Sequence, residues 1–355
     1  MREKIKNVLA LSLIPQILLV KWLSFYPELI EKYYSLGIYN YTSKFFRVVY
    51  GWIPFSIGDA LYALIGFYAL RYLIIKRKYI WKKPLHFFRN IVAVIAVAYF
   101  SFNICWGLNY QRLPVSQALG IQENKDRKAL LAFVNELIDK TNETQFQITG
   151  DSTLMVKTPY TNQQIFDKTI KGYKNLAQIH PFLKYEIPSI KNSLFSTPLS
   201  YMGYGGYLNP FTNEAQVNSL TPPFRLSVIS GHEVGHQIGY SAENETNLIG
   251  YLVTIYNEDI YFKYAAYAYA LSYCLSDMKQ NDEQLFETLL PKINAGVKQN
   301  YAELNTFWLQ YENFTEPIFK AIFNSFLKVN NQTDGIKSYS KVVLLLVSYH
   351  QKYPL

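Results

Sequence analysis

Three long apolar segments near the N-terminus constrain the fold of this chain more than any other feature. They cover residues 8–25, 52–75 and 91–108, and the last of them contains no charged residue. Each is close to the ~20 residues that a helix needs to cross a bilayer. Because a backbone in lipid must satisfy its hydrogen bonds internally, each segment predicts a transmembrane helix.

The first apolar segment follows a basic start, so it could also be a cleaved signal peptide. No small-residue cleavage site follows it, however. Trp22, Phe25 and Tyr26 are typical of the aromatic residues that lie at a lipid–water interface. We therefore expect this segment to be retained as a membrane helix.

Basic residues are concentrated in two regions beside the apolar segments. Residues 1–6 and 71–89 together account for the whole formal net charge of +9. Because loops rich in Lys and Arg stay in the cytoplasm, the N-terminus and the loop at 76–89 are predicted to be cytoplasmic. The charge therefore indicates a bilayer as partner and gives no support to nucleic-acid binding.

This pattern divides the chain into a membrane anchor, residues 1–108, and an extracytoplasmic domain, residues 109–355. The domain is expected to be mainly helical, with one or two short strands in residues 194–220, where Gly, Pro, Asn and aromatic residues replace helical periodicity. Residues 261–275 are apolar but short and flanked by charges. They predict a buried helix of the domain, with a fourth membrane span as the alternative.

The motif that carries chemistry is His232-Glu233-Val234-Gly235-His236. On a helix, positions i and i+4 lie on one face, so both imidazoles could bind one Zn²⁺ with Glu233 beside it as general base. Gly239 is expected to end this helix and Ser241 to cap the next one. A third ligand should then come from that second helix. Gly231 and Gly235 indicate close packing of a neighbour against the first helix.

Two carboxylates of the second helix compete for the third ligand position. Glu245 shares its helical face with Leu248 and Leu252, and this apolar face is expected to pack inward. Glu243 shares a polar face with Asn247 and would interact favourably with the helix dipole. We therefore predict Glu245 as the metal ligand, with Glu243 as the alternative.

The segment before the metal helix, residues 201–218, could bind substrate. A strand there would accept an extended peptide along its edge through main-chain hydrogen bonds, although an ordinary hairpin is the alternative. The predicted substrate-binding residues are Tyr207, Asn209, Glu214 and Asn218. Tyr339 is the predicted donor to the oxyanion.

Four motifs of the chain resemble those of a known group: residues 106–110, 206–218, 232–240, and 243–247 with the pattern Glu-x-Glu-x-Asn. Together they are similar to an uncharacterised bacterial family of membrane-anchored, predicted zinc metallopeptidases. The resemblance covers most of the chain. It implies three membrane helices before an HExxH domain, and it makes Glu245 the equivalent of the ligand glutamate in gluzincin-type peptidases. It implies no substrate.

The sequence thus predicts a mainly α protein with three transmembrane helices followed by a zincin-like α+β metallopeptidase domain with a small sheet. Its expected activity is zinc-dependent hydrolysis of peptide or protein substrates outside the bacterial cytoplasmic membrane, with Glu233 as general base. The alternative is a catalytically silent, zinc-stabilised sensor or scaffold tethered to the membrane, which does not need Glu233. An intramembrane protease is disfavoured because Arg225, Glu243 and Glu245 flank the motif helix.

Overall fold

The computed structural model describes residues 2–123, 126–330 and 339–355, without the side chains of residues 2, 339 and 340. Most of these residues are helical. The N-terminal part comprises α1 (Arg2–Leu23), α2 (Pro27–Leu29), a π-helical segment (Ile30–Ile38), α3 (Tyr39–Tyr50), α4 (Ile57–Lys82), α5 (Pro84–Cys105) and a 3₁₀ turn (Gly107–Gln111). The helices that follow are α6 (Val115–Leu119), α7 (Arg127–Thr149), α8 (Asn162–Ile179), α9 (Ser196–Met202), α10 (Pro223–Gln237), α11 (Glu243–Ile255), α12 (Ile260–Asn281), α13 (Glu283–Leu289), α14 (Ala295–Leu309), α15 (Glu316–Val329) and α16 (Tyr339–Lys352).

Three helices among the described residues are long and apolar enough to cross a membrane, namely Glu3–Leu23 of α1, α4 and α5. This confirms the number of apolar helices that the sequence predicts, with shifted ends. Helix α4 begins after Ser56, because the Ser56 hydroxyl accepts a hydrogen bond from the backbone N–H of Asp59. Helix α5 begins at Pro84, a residue that favours the first turn of a helix.

The segment between the first two candidate spans packs onto the helical domain. Tyr39 is buried, and its hydroxyl donates to the backbone carbonyl of Gln237 at 2.9 Å. Arg112 forms an ion pair with Glu31 at 2.6 Å. Residues on the two sides of the boundary predicted at residue 108 therefore contact each other. A hydropathy pattern does not indicate these contacts, because the segment between the first two candidate spans is amphipathic.

Helices α10 and α11 form the centre of the domain, and α8, α12 and α16 pack around them. The two central helices come unusually close, since a Cβ added to Gly231 would lie 3.0 Å from the Cα of Gly250. A Cβ added to Gly235 would lie 3.1 Å from the methyl group of Thr246. The close packing predicted at Gly231 and Gly235 is therefore confirmed. Helix α12 is largely buried in the core, as expected for a helix of the domain.

One three-stranded sheet lies beside α10. Its strands are β1 (Ile190–Asn192), β2 (Gly206–Asn209) and β3 (Glu214–Val217), in the order β1-β3-β2. Strand β3 is parallel to β1 and antiparallel to β2. The strands expected in residues 194–220 are thus β2 and β3, and β2 is an edge strand of this sheet.

Candidate metal centre

Helix α10 places His232 and His236 one turn apart on the same face, as the spacing predicts. Their ring centroids are 4.8 Å apart. Ligand atoms of His232, Glu233 and His236 all lie within 4.8 Å of one another. These three side chains therefore form one cluster that could hold a metal ion.

Both imidazoles are oriented by hydrogen bonds through Nδ1. The Nδ1 of His236 is 2.8 Å from the backbone carbonyl of Tyr240. The Nδ1 of His232 is 3.0 Å from the Oδ1 of Asn247, which also accepts from the hydroxyl of Tyr269 at 2.8 Å. A ring that donates through Nδ1 carries its lone pair on Nε2, so both Nε2 atoms are available to a metal.

A further carboxylate, that of Glu243, lies beside the two imidazoles. Its carboxylate oxygens lie 3.4 Å from the Nε2 of His232 and 3.6 Å from the Nε2 of His236. Glu245 is held elsewhere, where its carboxylate accepts from the backbone N–H of Val115 at 2.8 Å. The structure therefore places Glu243, the alternative, at the histidines and removes Glu245 from them.

The prediction of Glu245 rests on the apolar face of α11, which does pack inward, since Leu248, Ile249 and Leu252 are buried. The residues of α11 that contact α10 are Thr246, Ile249, Gly250 and Val253. Glu243 and Asn247 of the same helix lie beside the imidazoles. A Cβ added to Gly250 would lie 3.2 Å from the Cβ of His232. An inward-facing position on α11 therefore does not by itself place a carboxylate at the two histidines.

The chain that links α10 to α11 is fixed by the segment after α5. The indole N–H of Trp106 donates to the backbone carbonyl of His236 at 3.0 Å, which satisfies a carbonyl at the end of α10. Gly239 adopts φ +96, as expected for the residue that ends this helix. Ser241 does not cap α11, because its hydroxyl donates to the carbonyl of Asn109 and Ala242 occupies the cap position.

At His232, the neighbouring Glu243 and Glu233 outweigh burial and hold the pKa above its usual value. At Glu233 and His236, burial sets the direction of the pKa shift. It raises the pKa of Glu233 to about 8 and lowers the pKa of His236 to about 4. Burial would also raise the pKa of Glu243, but the two imidazoles outweigh it and hold that pKa below its usual value. A neutral His236 and an ionised Glu243 are the protonation states that a bound cation requires.

Glu233 is only 4% exposed and lies under strand β2. Its Oε2 has no hydrogen-bond partner among the described residues. A Cβ added to Gly206 of β2 would lie 2.6 Å from the Oε1 of Glu233. A buried carboxylate oxygen without a partner is destabilising, and such groups are retained where function needs them.

A cavity of about 840 Å³ opens onto these residues. The metal centre and β2 form one side of it. The rest is mainly aromatic and apolar, and includes Tyr62, Phe102, Trp106, Tyr110, Tyr204, Tyr269, Tyr273, Trp308, Phe319, Phe323 and Phe326. Arg225 and Asn247 also line it. Asn247 contacts His232 but is not among the residues predicted for the site, although its spacing of four residues from Glu243 places both on one face of α11.

Of the predicted substrate-binding residues, only Tyr207 lines the cavity, and its hydroxyl donates to Asp59. Glu214 is fully buried and accepts the backbone N–H groups of Ile57 at 3.2 Å and Gly58 at 2.6 Å, at the start of α4. A carboxylate at this position stabilises the helix terminus.

Asn209 and Asn218 are also buried and used internally. Asn209 accepts the backbone N–H groups of Phe211 and Thr212 in the turn between β2 and β3. Asn218 donates to the Ser200 hydroxyl at 2.9 Å. Asn side chains near turns commonly bond the local backbone in this way, so polarity in this segment did not indicate substrate contact.

Tyr339, the predicted oxyanion donor, is the first residue of α16. Its side chain lies outside the described part of the chain.

One family model matches the chain. It is described as a protein of unknown function (DUF3810), and it covers residues 34–347. No curated protein and no solved structure matches the chain.

Proposed function

We propose that this chain, which belongs to the DUF3810 family of proteins of unknown function, is a zinc-dependent peptidase anchored in a membrane. The observation that carries the proposal is the convergence of two oriented imidazoles and the Glu243 carboxylate beside a buried, incompletely bonded Glu233.

The donor set fits zinc. Two imidazole nitrogens and one carboxylate oxygen, from His232, His236 and Glu243, are a usual set of protein ligands for catalytic zinc, and they leave one position open. The hydrogen bonds at both Nδ1 atoms fix the rings in the orientation that a metal needs. A bound Zn²⁺ would supply a Lewis acid that polarises a substrate carbonyl and lowers the pKa of a water molecule.

Glu233 is the general base in this proposal. Its free Oε2 can accept the proton of the attacking water and later deliver it to the leaving amine. Its raised pKa of about 8 suits a group that takes up and releases a proton near neutral pH.

Strand β2 would position the peptide. One edge of β2 pairs with β3, and residues 205–208 line the cavity beside Glu233. An extended peptide could pair with the free edge through main-chain hydrogen bonds. Gly206 would then bring the peptide backbone close to Glu233, because no side chain stands between them. This arrangement of sheet edge and metal helix supports a zincin-like domain.

The basic regions support one orientation in a bacterial cytoplasmic membrane. Helices α4 and α5 are joined through Lys83, within the basic loop. Their other ends contact the helical domain, through Asp59 to Ser193 and Trp106 to His236. With the basic loop in the cytoplasm, the N-terminus is also cytoplasmic and the metal centre is extracytoplasmic.

The test is a paired measurement on the purified full-length chain. We expect about one Zn²⁺ per chain by elemental analysis, and cleavage within a diverse peptide library. Removal of the metal with a chelator should abolish cleavage, and added Zn²⁺ should restore it. The proposal would be contradicted if the zinc-loaded chain cleaved no peptide and its Glu233→Gln variant still rescued every phenotype of a deletion strain. The chain would then be a tethered scaffold.

A further inference from the structure

Part of the cavity wall comes from the two candidate membrane spans. Phe102 lies in the last turn of α5, Trp106 directly follows it, and Tyr62 lies within the first two turns of α4. Both of these helix ends contact the helical domain. The cavity therefore lies at the level where the spans leave the bilayer on the side of the metal centre.

Helix α15 forms a second part of the wall and continues this apolar region. Phe319, Phe323 and Phe326 on its inner face line the cavity. The ring of Phe326 lies 6.1 Å from that of Phe102 and packs edge-on against it. One side of α15 thus joins the cavity to the end of a membrane span.

The side of α15 that adjoins this inner face is apolar as well and is exposed. Ile318 is 56% exposed and Val329 is 86% exposed. These positions lie on a stripe with Ile322, which is exposed and also lines the cavity, so this stripe adjoins the inner face of α15. Such a surface next to membrane spans is typical of a helix that lies in the lipid–water interface. Lys328 can extend its charged end from this level to water.

We propose that the cavity binds a polypeptide segment that directly adjoins a membrane anchor. In this proposal, α15 lies in the bilayer surface, and the segment enters the cavity beside it. This inference rests on the proposed peptidase function. Segments beside a membrane anchor are rich in Trp, Tyr and apolar residues, which match the aromatic lining of the cavity. A substrate held at the membrane would reach Glu233 without leaving the interface.

The main experiment compares three peptide libraries with the full chain in liposomes. All share the same random sequences. One carries an N-terminal palmitoyl group, one carries the palmitoyl group through a long Gly/Ser spacer, and one is acetylated. Both lipidated libraries are concentrated on the same bilayer as the chain, which raises their rate of cleavage. The library with the spacer is therefore the control for this concentration effect. We expect the directly anchored library to be cleaved at least about tenfold faster than the spaced one, near its anchor.

The outcomes separate the two proposals. Equal cleavage of the directly anchored and spaced libraries would overturn the inference while leaving the peptidase function intact. Absence of cleavage in all three libraries by the zinc-loaded chain would overturn the peptidase function and the inference with it.

A second measurement tests the position of α15 without using activity. In a Cys105→Ala background, Ile318→Cys is labelled with a fluorophore and reconstituted into liposomes containing nitroxide lipids. Leu154→Cys is the matched control, because Leu154 is 54% exposed and lies beside Gly296 of α14. We expect strong quenching at position 318 and weak quenching at 154. Quenching at position 318 that is as weak as at position 154 would show that α15 does not lie at the bilayer.

Discussion

At the scale of single residues, Glu233 combines burial with an oxygen that has no hydrogen-bond partner in the described part of the chain. We expect Glu233→Gln to keep the shape of the site and its metal, because Gln is isosteric and Glu233 is not a ligand in the proposed set. Cleavage should fall by ~10²–10⁴-fold, since the amide cannot accept the water's proton. Zinc content and cleavage rate are measured side by side for both proteins. A variant that cleaves as fast as the native chain would remove Glu233 from the mechanism.

The two glutamates of α11 provide a second residue-scale test. Glu243→Gln should empty the zinc site, because a neutral amide replaces the carboxylate beside both imidazoles. Glu245→Gln is the matched control. Its amide oxygen can still accept from Val115, and burial already raises the pKa of Glu245 to about 7.

Elemental analysis of both α11 variants measures the effect. If Glu245→Gln lost zinc and Glu243→Gln retained it, Glu245 would be the metal ligand, as helical periodicity predicts. The assignment of Glu243 from the geometry of the site would then be wrong.

At the scale of elements, β2 and α10 meet at Gly206. A Cβ at this position would lie 2.6 Å from both the Oε1 of Glu233 and the carbonyl oxygen of Gln216. Gly206→Ala should therefore displace β2 from Glu233 and slow cleavage on the order of 10²-fold, with zinc retained. Gly66→Ala is the control, since a Cβ there would meet no described residue within 4 Å outside its own helical turn. Unchanged cleavage in Gly206→Ala would argue against β2 as the peptide-binding strand.

Elements far apart in the sequence also support one another. The Glu214 carboxylate, at the start of β3, accepts two backbone N–H groups at the first turn of α4. A negative charge at this end of a helix is stabilising. The sheet that borders the metal centre is therefore linked directly to a candidate membrane span.

At the scale of the whole molecule, the orientation in the membrane can be tested with reporter fusions. A reporter that is active only outside the cytoplasm should be active when it follows Asn109 and inactive when it follows Lys82. The reason is that loops rich in Lys and Arg stay in the cytoplasm, so the junction of α4 and α5 is expected there. Protein levels of both fusions serve as the control. The opposite pattern of activity would place the metal centre in the cytoplasm.

The sequence by itself determined the features that depend on neighbouring residues. Runs of apolar residues predicted the three long helices, and the spacing of His232 and His236 predicted their shared face. Gly231 and Gly235 predicted a close helix contact, because few other residues permit one. Each of these follows from composition or from a helical period over a short stretch.

Only the tertiary structure decided the features that depend on distant residues. It placed Glu243 rather than Glu245 beside the two histidines, because the neighbours of each carboxylate depend on how α11 packs in the fold. It placed the Glu214 carboxylate at the first turn of α4, where it accepts backbone N–H groups. It also placed Trp106 against His236, 130 residues further along the chain. The sequence pattern shows which face of a helix is polar, but the partner of that face is fixed only when the chain has folded.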